Sequence, residues 1–248
     1  MEKNFKKYVK YYDLLYSDKD YNKEASYVCE TLKILGFESG KILEFGSGTG
    51  KHANIITKSD YTVHGIERSA EMVSEALITD KFTCQIGDIC KIRIQEQFDV
   101  IISLFHVVSY ITDNNSLISL FESARAHLKK GGIFLFDVWY TPAVYYLKPQ
   151  VKVKRVFNEE IEVLRIAEPE VLSINNMVNV IFTLFVTDKK FNTTECITEV
   201  HEMRHFSLPE LNLLAGLHGF ECVLSEEFLT KDIPSENTWG VCFAFKKL

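Results

Sequence analysis

Gly46, Gly48 and Gly50 follow a short apolar run, Ile42-Leu43-Glu44-Phe45, and Lys51 comes directly behind them. Glycine lets a chain turn sharply and lets a ligand approach the main chain. An apolar strand, an acid, a glycine turn and a helix therefore describe the entry to a nucleotide-type site. The spacing is G-x-G-x-G, and Lys51 stands where the dinucleotide pattern G-x-G-x-x-G has its third glycine. His52 follows Lys51, so the G-K-[ST] of a phosphate-binding P-loop is absent as well.

Other chemistry-bearing residues end the later apolar runs. Glu67, about twenty residues past the glycines, is placed to accept from both hydroxyls of a ribose. Asp88 is placed to accept from an exocyclic amine, and Leu104, Phe105 and His106 close the fourth run. A ribose, an amino-bearing base and a tight backbone turn make an adenosine cofactor. Glu44 separates the candidates: a carboxylate at the first strand's end repels a pyrophosphate but suits an ammonium or a sulfonium. The set favours S-adenosylmethionine over NAD or ATP.

The elements that must position these residues alternate. Apolar steps of three and four over 5–36 predict two helices broken at Asp18 to Asn22, with Gly36 closing the second. Strands are expected at Lys41 to Phe45, Tyr61 to Ile66, Phe82 to Ile86, Phe98 to Leu104 and Ile133 to Val138. Helices are expected behind Gly50, from the N-cap Ser69, and from Asn114 to Lys130 with a stop at Gly131-Gly132. Such alternation predicts an open, mainly parallel α/β sheet. The stretch from Val151 to Phe206 is instead rich in β-branched and aromatic residues. It predicts three or four antiparallel strands, with turns at Asn158-Glu159, Glu168-Pro169 and Asp188 to Lys190. Ser207 and Pro209 open a last helix, and two strands end the chain. The organisation expected is an N-terminal helical cap (1–40), a cofactor core (41–148), an antiparallel β insert (149–206) and the completion of the core (207–248).

Composition narrows the partners. The 248 residues are 46 % hydrophobic and 25 % charged, enough for one sizeable core. The net charge of −6, without a basic block, argues against nucleic acid or an anionic membrane surface as a partner. No apolar run is long enough to span a bilayer, and the N-terminal lysines precede no apolar signal segment. The six cysteines form no C-x-x-C pair and read as reduced thiols of a cytoplasmic protein.

Taken together, ILEFGSGTGKH, Glu67, Gly87-Asp88-Ile89, FDVIISL and LKKGG resemble the motif series of class I S-adenosylmethionine-dependent methyltransferases, in order and spacing, over about residues 41–138. The resemblance implies a Rossmann-like open sheet. It implies that Gly46, Ser47 and Gly48 face the methionine part of the cofactor and that Glu67 holds the ribose. Met72 would cover one adenine face, and Asp88 with Ile89 the adenine edge and its other face. Glu44, Arg68 and Leu104 are grouped with this set.

A narrower resemblance, carried by YDLLYSDKDYNKEA, FHVVSYI, the β insert and HEMRHFSLPEL, is to bacterial N-methyltransferases of nucleotide-linked amino sugars. By it, Tyr21 helps hold the cofactor carboxylate, and Tyr8 and Tyr110 border a small-molecule acceptor. Apart from that resemblance, His106, directly after a buried strand, reads either as a satisfied histidine near the core or as a group beside the transferred methyl, and Tyr12, His201 and Arg204 are expected on the acceptor side. An amine acceptor needs orientation and relief of growing positive charge; a hydroxyl acceptor needs a true base, and His106 or His201 then gains weight.

Three readings stay open: an N-methyltransferase, an O-methyltransferase of a small metabolite or sugar, and a cofactor-binding protein without turnover. The insert is either a substrate-selecting element or a homodimer surface. His201-Glu202-Met203-Arg204-His205 matches H-E-x-x-H, but that zinc motif needs a helix and this run reads as a strand. No metal is expected.

Overall fold

The computed structural model describes residues 8–248. The part of the first expected helix before Tyr8 lies outside the described residues. After a single turn at Val9–Tyr11 come α1 (Tyr12–Leu15) and α2 (Tyr21–Ile34). The Asp20 side chain accepts from the backbone of Lys23 and caps α2, which explains the break before it. Gly36, at φ +90°, closes the same helix. Its N–H donates to Lys33, and the Phe37 N–H donates to Leu32 at 2.8 Å.

The chain continues as β1 (Gly40–Phe45), α3 (Lys51–Ile56), β2 (Tyr61–Glu67), α4 (Ala70–Glu75) and β3 (Phe82–Ile86). Then come β4 (Phe98–Ser103), α5 (Asn114–His127), β5 (Leu128–Trp139) and α6 (Thr141–Tyr146). The insert supplies β6 (Lys152–Phe157), β7 (Ile161–Leu172), β8 (Met177–Asp188) and β9 (Thr193–Arg204). The chain ends with α7 (Leu208–Leu217), β10 (Phe220–Glu227) and β11 (Gly240–Lys247).

The chain divides into two units. One runs from Asp20 to Leu147 and from His205 to Leu248; the other joins Lys148–Arg204 to the described residues up to Lys19. The larger unit holds a seven-stranded sheet in the order β10-β11-β5-β4-β1-β2-β3. The pairs β1 with β2, β1 with β4, β2 with β3 and β4 with β5 are parallel, and β11 runs antiparallel between β5 and β10. One face of the sheet buries Leu43, Phe45, Ile101, Phe134, Phe136, Phe243 and Phe245. The other buries Ile42, Val63, Val100, Ile102 and Leu135 against Val28 and Leu32 of α2. The order reverses between β1 and β4, and in such sheets ligands bind outside the carboxyl ends of the strands at that point.

The smaller unit is a four-stranded antiparallel sheet, β6-β7-β8-β9. One of its faces is covered by Tyr8, Tyr11 and Leu15, which pack on Val163, Leu184, Val186 and Ile197.

Three local expectations change. The helix expected to reach Lys130 ends at His127, because Leu128 pairs with Phe98 and starts β5 early. The register then slips before Val100 pairs with Ile133, so Gly131-Gly132 sits in an irregular strand entry and stops no helix. Glu168-Pro169 is no turn: Pro169 pairs with Val180 inside β7. Pairing with β6 stops at Ala167, so Pro169 lies beyond the reach of that neighbour, where a missing donor is tolerated. The turn falls instead at Ser173–Asn175, with Asn176 left-handed at φ +53°. Ser207 occupies the N-cap of α7, but its side chain makes no capping hydrogen bond.

Candidate functional site

The glycine loop leaves β1 at the reversal point of the sheet. Gly46, Gly48 and Gly50 have φ of +76°, +56° and +77°, a region that side chains disfavour. Two of them also answer to packing. A Cβ on Gly46 would lie 2.6 Å from a methyl of Val107, and one on Gly50 would lie 2.3 Å from the Phe82 ring. Gly48 differs, since a Cβ there would meet only the Met72 sulfur at 3.7 Å. Its bare backbone thus faces space beside Met72.

Glu67, at the end of the neighbouring β2, ties this loop. Its Oε2 accepts from the Gly48 N–H at 3.0 Å, and its Oε1 accepts from the Ser69 N–H at 2.9 Å. Ser69 in turn caps α4 by accepting from the Met72 N–H. Each carboxylate oxygen keeps a further lone pair for a ligand hydroxyl. Ser47 is buried, and its hydroxyl contacts the Cys84 thiol at 3.2 Å.

Glu44 is the anomaly of β1. It is 1 % exposed, and its Oε2 is buried without a hydrogen-bond partner. Burial first, and then the nearby Glu67 charge, push its carboxyl up to about 8. A carboxyl left this way in a core is costly unless something positive covers it. A ligand with a sulfonium and an ammonium, lying along a bare glycine turn, meets that requirement, so the residues fit S-adenosylmethionine.

The remaining cofactor candidates are spread along the larger unit. Met72, Ile89 and Leu104 are buried. Asp88 accepts from the Cys90 N–H at 3.0 Å and pairs with Arg68 at 3.1 Å, so Arg68 meets a carboxylate of its own chain. Tyr21, at the start of α2, packs its ring edge-on to His52 at 5.0 Å, with the Lys51 ammonium 5.3 Å from its centre. His52 is itself paired with Glu24 at 2.8 Å, which couples α2 to the helix behind the glycine loop.

On β4 the chain leaves through Leu104 into two successive left-handed residues, Phe105 at φ +63° and His106 at φ +60°. Non-glycine residues held there cost about 1–3 kcal/mol each and persist only where the surroundings fix them. Asp137 of β5 holds the second of them. Its carboxylate accepts from the His106 N–H at 3.2 Å, and Oδ2 lies 2.6 Å from Nδ1 of the same histidine. The turn Val107–Tyr110 follows at once and carries the half-buried Tyr110. Asp137 is a candidate site residue that the sequence alone did not single out. Its signal is an acid near the end of an otherwise apolar strand, Phe134-Leu135-Phe136-Asp137-Val138.

In the smaller unit, Tyr8 is fully buried. Its hydroxyl accepts from Arg165 Nη1 at 3.1 Å and contacts the Tyr16 hydroxyl at 3.2 Å, and burial foremost raises its pKa. Tyr12 is half-buried, with its ring 4.7 Å from that of Tyr16. His201 is buried against Phe182 and Tyr8; burial drives its pKa down to about 4 against the pull of Glu199. Arg204 ends β9 opposite Met177.

The H-E-x-x-H run lies on this strand and just past it. His201, Met203 and His205 alternate as buried residues, and His205 bonds Thr141 at 2.9 Å. Among the described residues no group of three His, Cys, Asp or Glu could hold a metal. Among them, too, no helix is long and apolar enough to cross a membrane.

Residues 21–225 match the model of a methyltransferase domain family, and the chain belongs to that family. It is a class I S-adenosylmethionine-dependent methyltransferase, and it resembles the N-methyltransferases of nucleotide-linked amino sugars. It is 30 % identical over 138 residues to a dTDP-3-amino-3,4,6-trideoxy-alpha-D-glucopyranose N,N-dimethyltransferase of Streptomyces venezuelae. That match covers 54 % of this chain and 58 % of the relative's length. Among solved structures it superposes on DesVI of Streptomyces venezuelae with a TM-score of 0.80 at 22 % identity, covering 97 % of this chain and 98 % of that one. It also superposes on CalS10, an amino pentose methyltransferase from Micromonospora echinaspora with S-adenosylmethionine bound. There the TM-score is 0.76 at 19 % identity, over 94 % and 93 % of the two chains.

Proposed function

We propose that this methyltransferase transfers a methyl group to the amine of a nucleotide-linked amino sugar. The observation that carries the acceptor class is the likeness, at 30 % identity over 138 residues, to an enzyme named for N,N-dimethylation of a dTDP-linked amino sugar. All six cysteines are free thiols, which suits work in the cytoplasm.

S-Adenosylmethionine, when bound, supplies an activated methyl on a sulfonium. The chain's own residues bind and align. Gly46, Ser47 and Gly48 present backbone to the methionine part, Glu44 faces its positive charge, and Tyr21 stands by its carboxylate. Glu67 takes the ribose hydroxyls. Asp88, with Arg68 beside it, meets the adenine edge, and Met72, Ile89 and Leu104 form apolar walls. A neutral amine is already a nucleophile, so the protein need only orient it and accept its growing charge. His106 and Tyr110 are the groups assigned to that task. Tyr12 and Arg204 remain candidates on the acceptor side. The enclosed Tyr8 and His201 serve chiefly to build the smaller unit.

The His106–Asp137 pair favours one second reading, O-methylation, because an imidazole backed by a carboxylate can act as a base toward a hydroxyl. Steady-state kinetics on one nucleotide sugar, offered as its amino and its hydroxy form, separates the two. Turnover of the amine alone supports the proposal, and turnover of the hydroxyl alone overturns it.

A further inference from the structure

We propose that Asp137 is a positioning residue for the transfer: through His106 it fixes the imidazole tautomer whose Nε2 lone pair takes the proton released by the acceptor nitrogen. This rests on the reading of His106 as an acceptor-side group.

Three observations lead to Asp137. It is 1 % exposed, and a carboxylate stays in a core only where it is paired. Its Oδ2 lies 2.6 Å from Nδ1 of His106, a buried atom that makes no hydrogen bond of regular geometry among the described residues, so the pair is a close approach of carboxylate and ring nitrogen. At that separation two lone pairs would repel, so the neutral ring carries its proton on Nδ1 and leaves the lone pair on Nε2. Finally, the His106 backbone sits at φ +60° directly after Phe105 at φ +63°, and the Asp137 carboxylate accepts the His106 N–H. One carboxylate thus fixes the main chain and the ring together, while 24 % of the side chain stays exposed on the way to solvent.

Two groups that stay neutral lie behind Asp137. Cys242 of β11 lies opposite it, and Tyr27 of α2 reaches that thiol and donates to Glu226 of β10 at 2.7 Å. Burial raises the pKa of both Cys242 and Tyr27, so neither is an anion at neutral pH.

The proton account is simple. As the amine's lone pair forms the new N–C bond, breaking the methyl–sulfur bond and leaving its electrons on sulfur, the nitrogen becomes an ammonium. That nitrogen passes one proton to Nε2, and His106 becomes an imidazolium beside the Asp137 carboxylate. Bulk water then removes the proton.

Imidazole nitrogen NMR of the whole protein at neutral pH tests the pair without any acceptor. The wild type should show His106 protonated at Nδ1 and bare at Nε2, and Asp137→Asn should lose that preference. With a dTDP-linked amino sugar, Asp137→Asn should lower kcat on the order of a hundredfold while cofactor affinity stays within about threefold. Asp137→Glu should recover part of the loss. Adding His106→Asn to Asp137→Asn should cost little more, because the two act as a unit. A wild-type His106 protonated at Nε2 overturns the proposal. So does an Asp137→Asn enzyme with the wild-type tautomer and kcat within about twofold. If Asp137→Asn fails to fold, the wild-type spectrum and Asp137→Glu still decide. A wild type silent on every amine would count against the acceptor reading, while the spectra judge the pair separately.

Discussion

The Gly48 backbone donates to Oε2 of Glu67 at 3.0 Å, tying the turn after the first strand to the acid that ends the second. One carboxylate therefore shapes the loop, and under the proposed function the same group takes the ribose hydroxyls. Glu67→Ala removes both this tie and the one to Ser69, and hydrogen bonds to a charged group are worth about 1.5–3 kcal/mol each. Titration calorimetry should find cofactor affinity reduced at least about a hundredfold. Unchanged affinity would overturn the ribose assignment.

The three loop glycines should not behave alike. Gly50→Ala drives a methyl into the Phe82 ring at a left-handed position, so the variant should melt well below the wild type. Gly48→Ala meets only the Met72 sulfur and should stay folded, at a backbone cost of about 1–2 kcal/mol, yet bind cofactor poorly. Thermal melts paired with binding isotherms read both effects. A Gly48→Ala protein with full affinity would remove the ligand from this turn.

Glu44 should make cofactor binding expel protons. Its carboxyl, raised to about 8, is largely protonated at neutral pH in the free protein, and a bound cation favours the ionised form. Calorimetry at pH 7 in buffers of different ionisation enthalpy should show proton release approaching one per cofactor, lost in Glu44→Gln. The sign for folding is opposite to that of a paired acid. With the folded value above the unfolded one, the Glu44 contribution is full below about pH 4.5 and is lost as pH rises to about 8. Glu44→Gln should flatten that part of the stability profile.

His201 gives the acid-side counterpart. Its folded pKa of about 4 lies below its ordinary 6.5, so the neutral, buried ring stabilises the fold above pH 6.5, and that stability drains as pH falls toward 4. His201→Gln should show a smaller difference in melting temperature between pH 7 and pH 5 than the wild type. An equal difference would mean that the ring is hydrated in solution.

Tyr110 lies in the turn behind His106, away from the glycine loop in sequence. Tyr110→Phe should leave cofactor affinity intact and lower turnover. Loss of cofactor binding would move Tyr110 from the acceptor side to the cofactor side.

Much of the core was legible because buried parallel strands are near-continuous apolar runs. β3 falls where its pattern predicts, β2 one residue longer, and β1 and β4 within a residue of their expected ends. The four-strand insert was legible from its β-branched residues. What local pattern could not carry was tertiary pairing. Leu128 to Lys130 favour a helix by composition, yet pairing between Leu128 and Phe98 makes them strand. Pro169 reads as a turn, yet β7 tolerates it because β6 stops short. Asp137 shows in the sequence only as an acid among phenylalanines, and it gains its meaning when His106, just past β4, is brought to it.

Incubating the protein with methyl-labelled S-adenosylmethionine and a dTDP-linked amino sugar, then locating the label by NMR of the product, tests the account most directly. The account predicts the label on the sugar's amine nitrogen. Label on a hydroxyl oxygen, or none transferred while the cofactor binds, would contradict it.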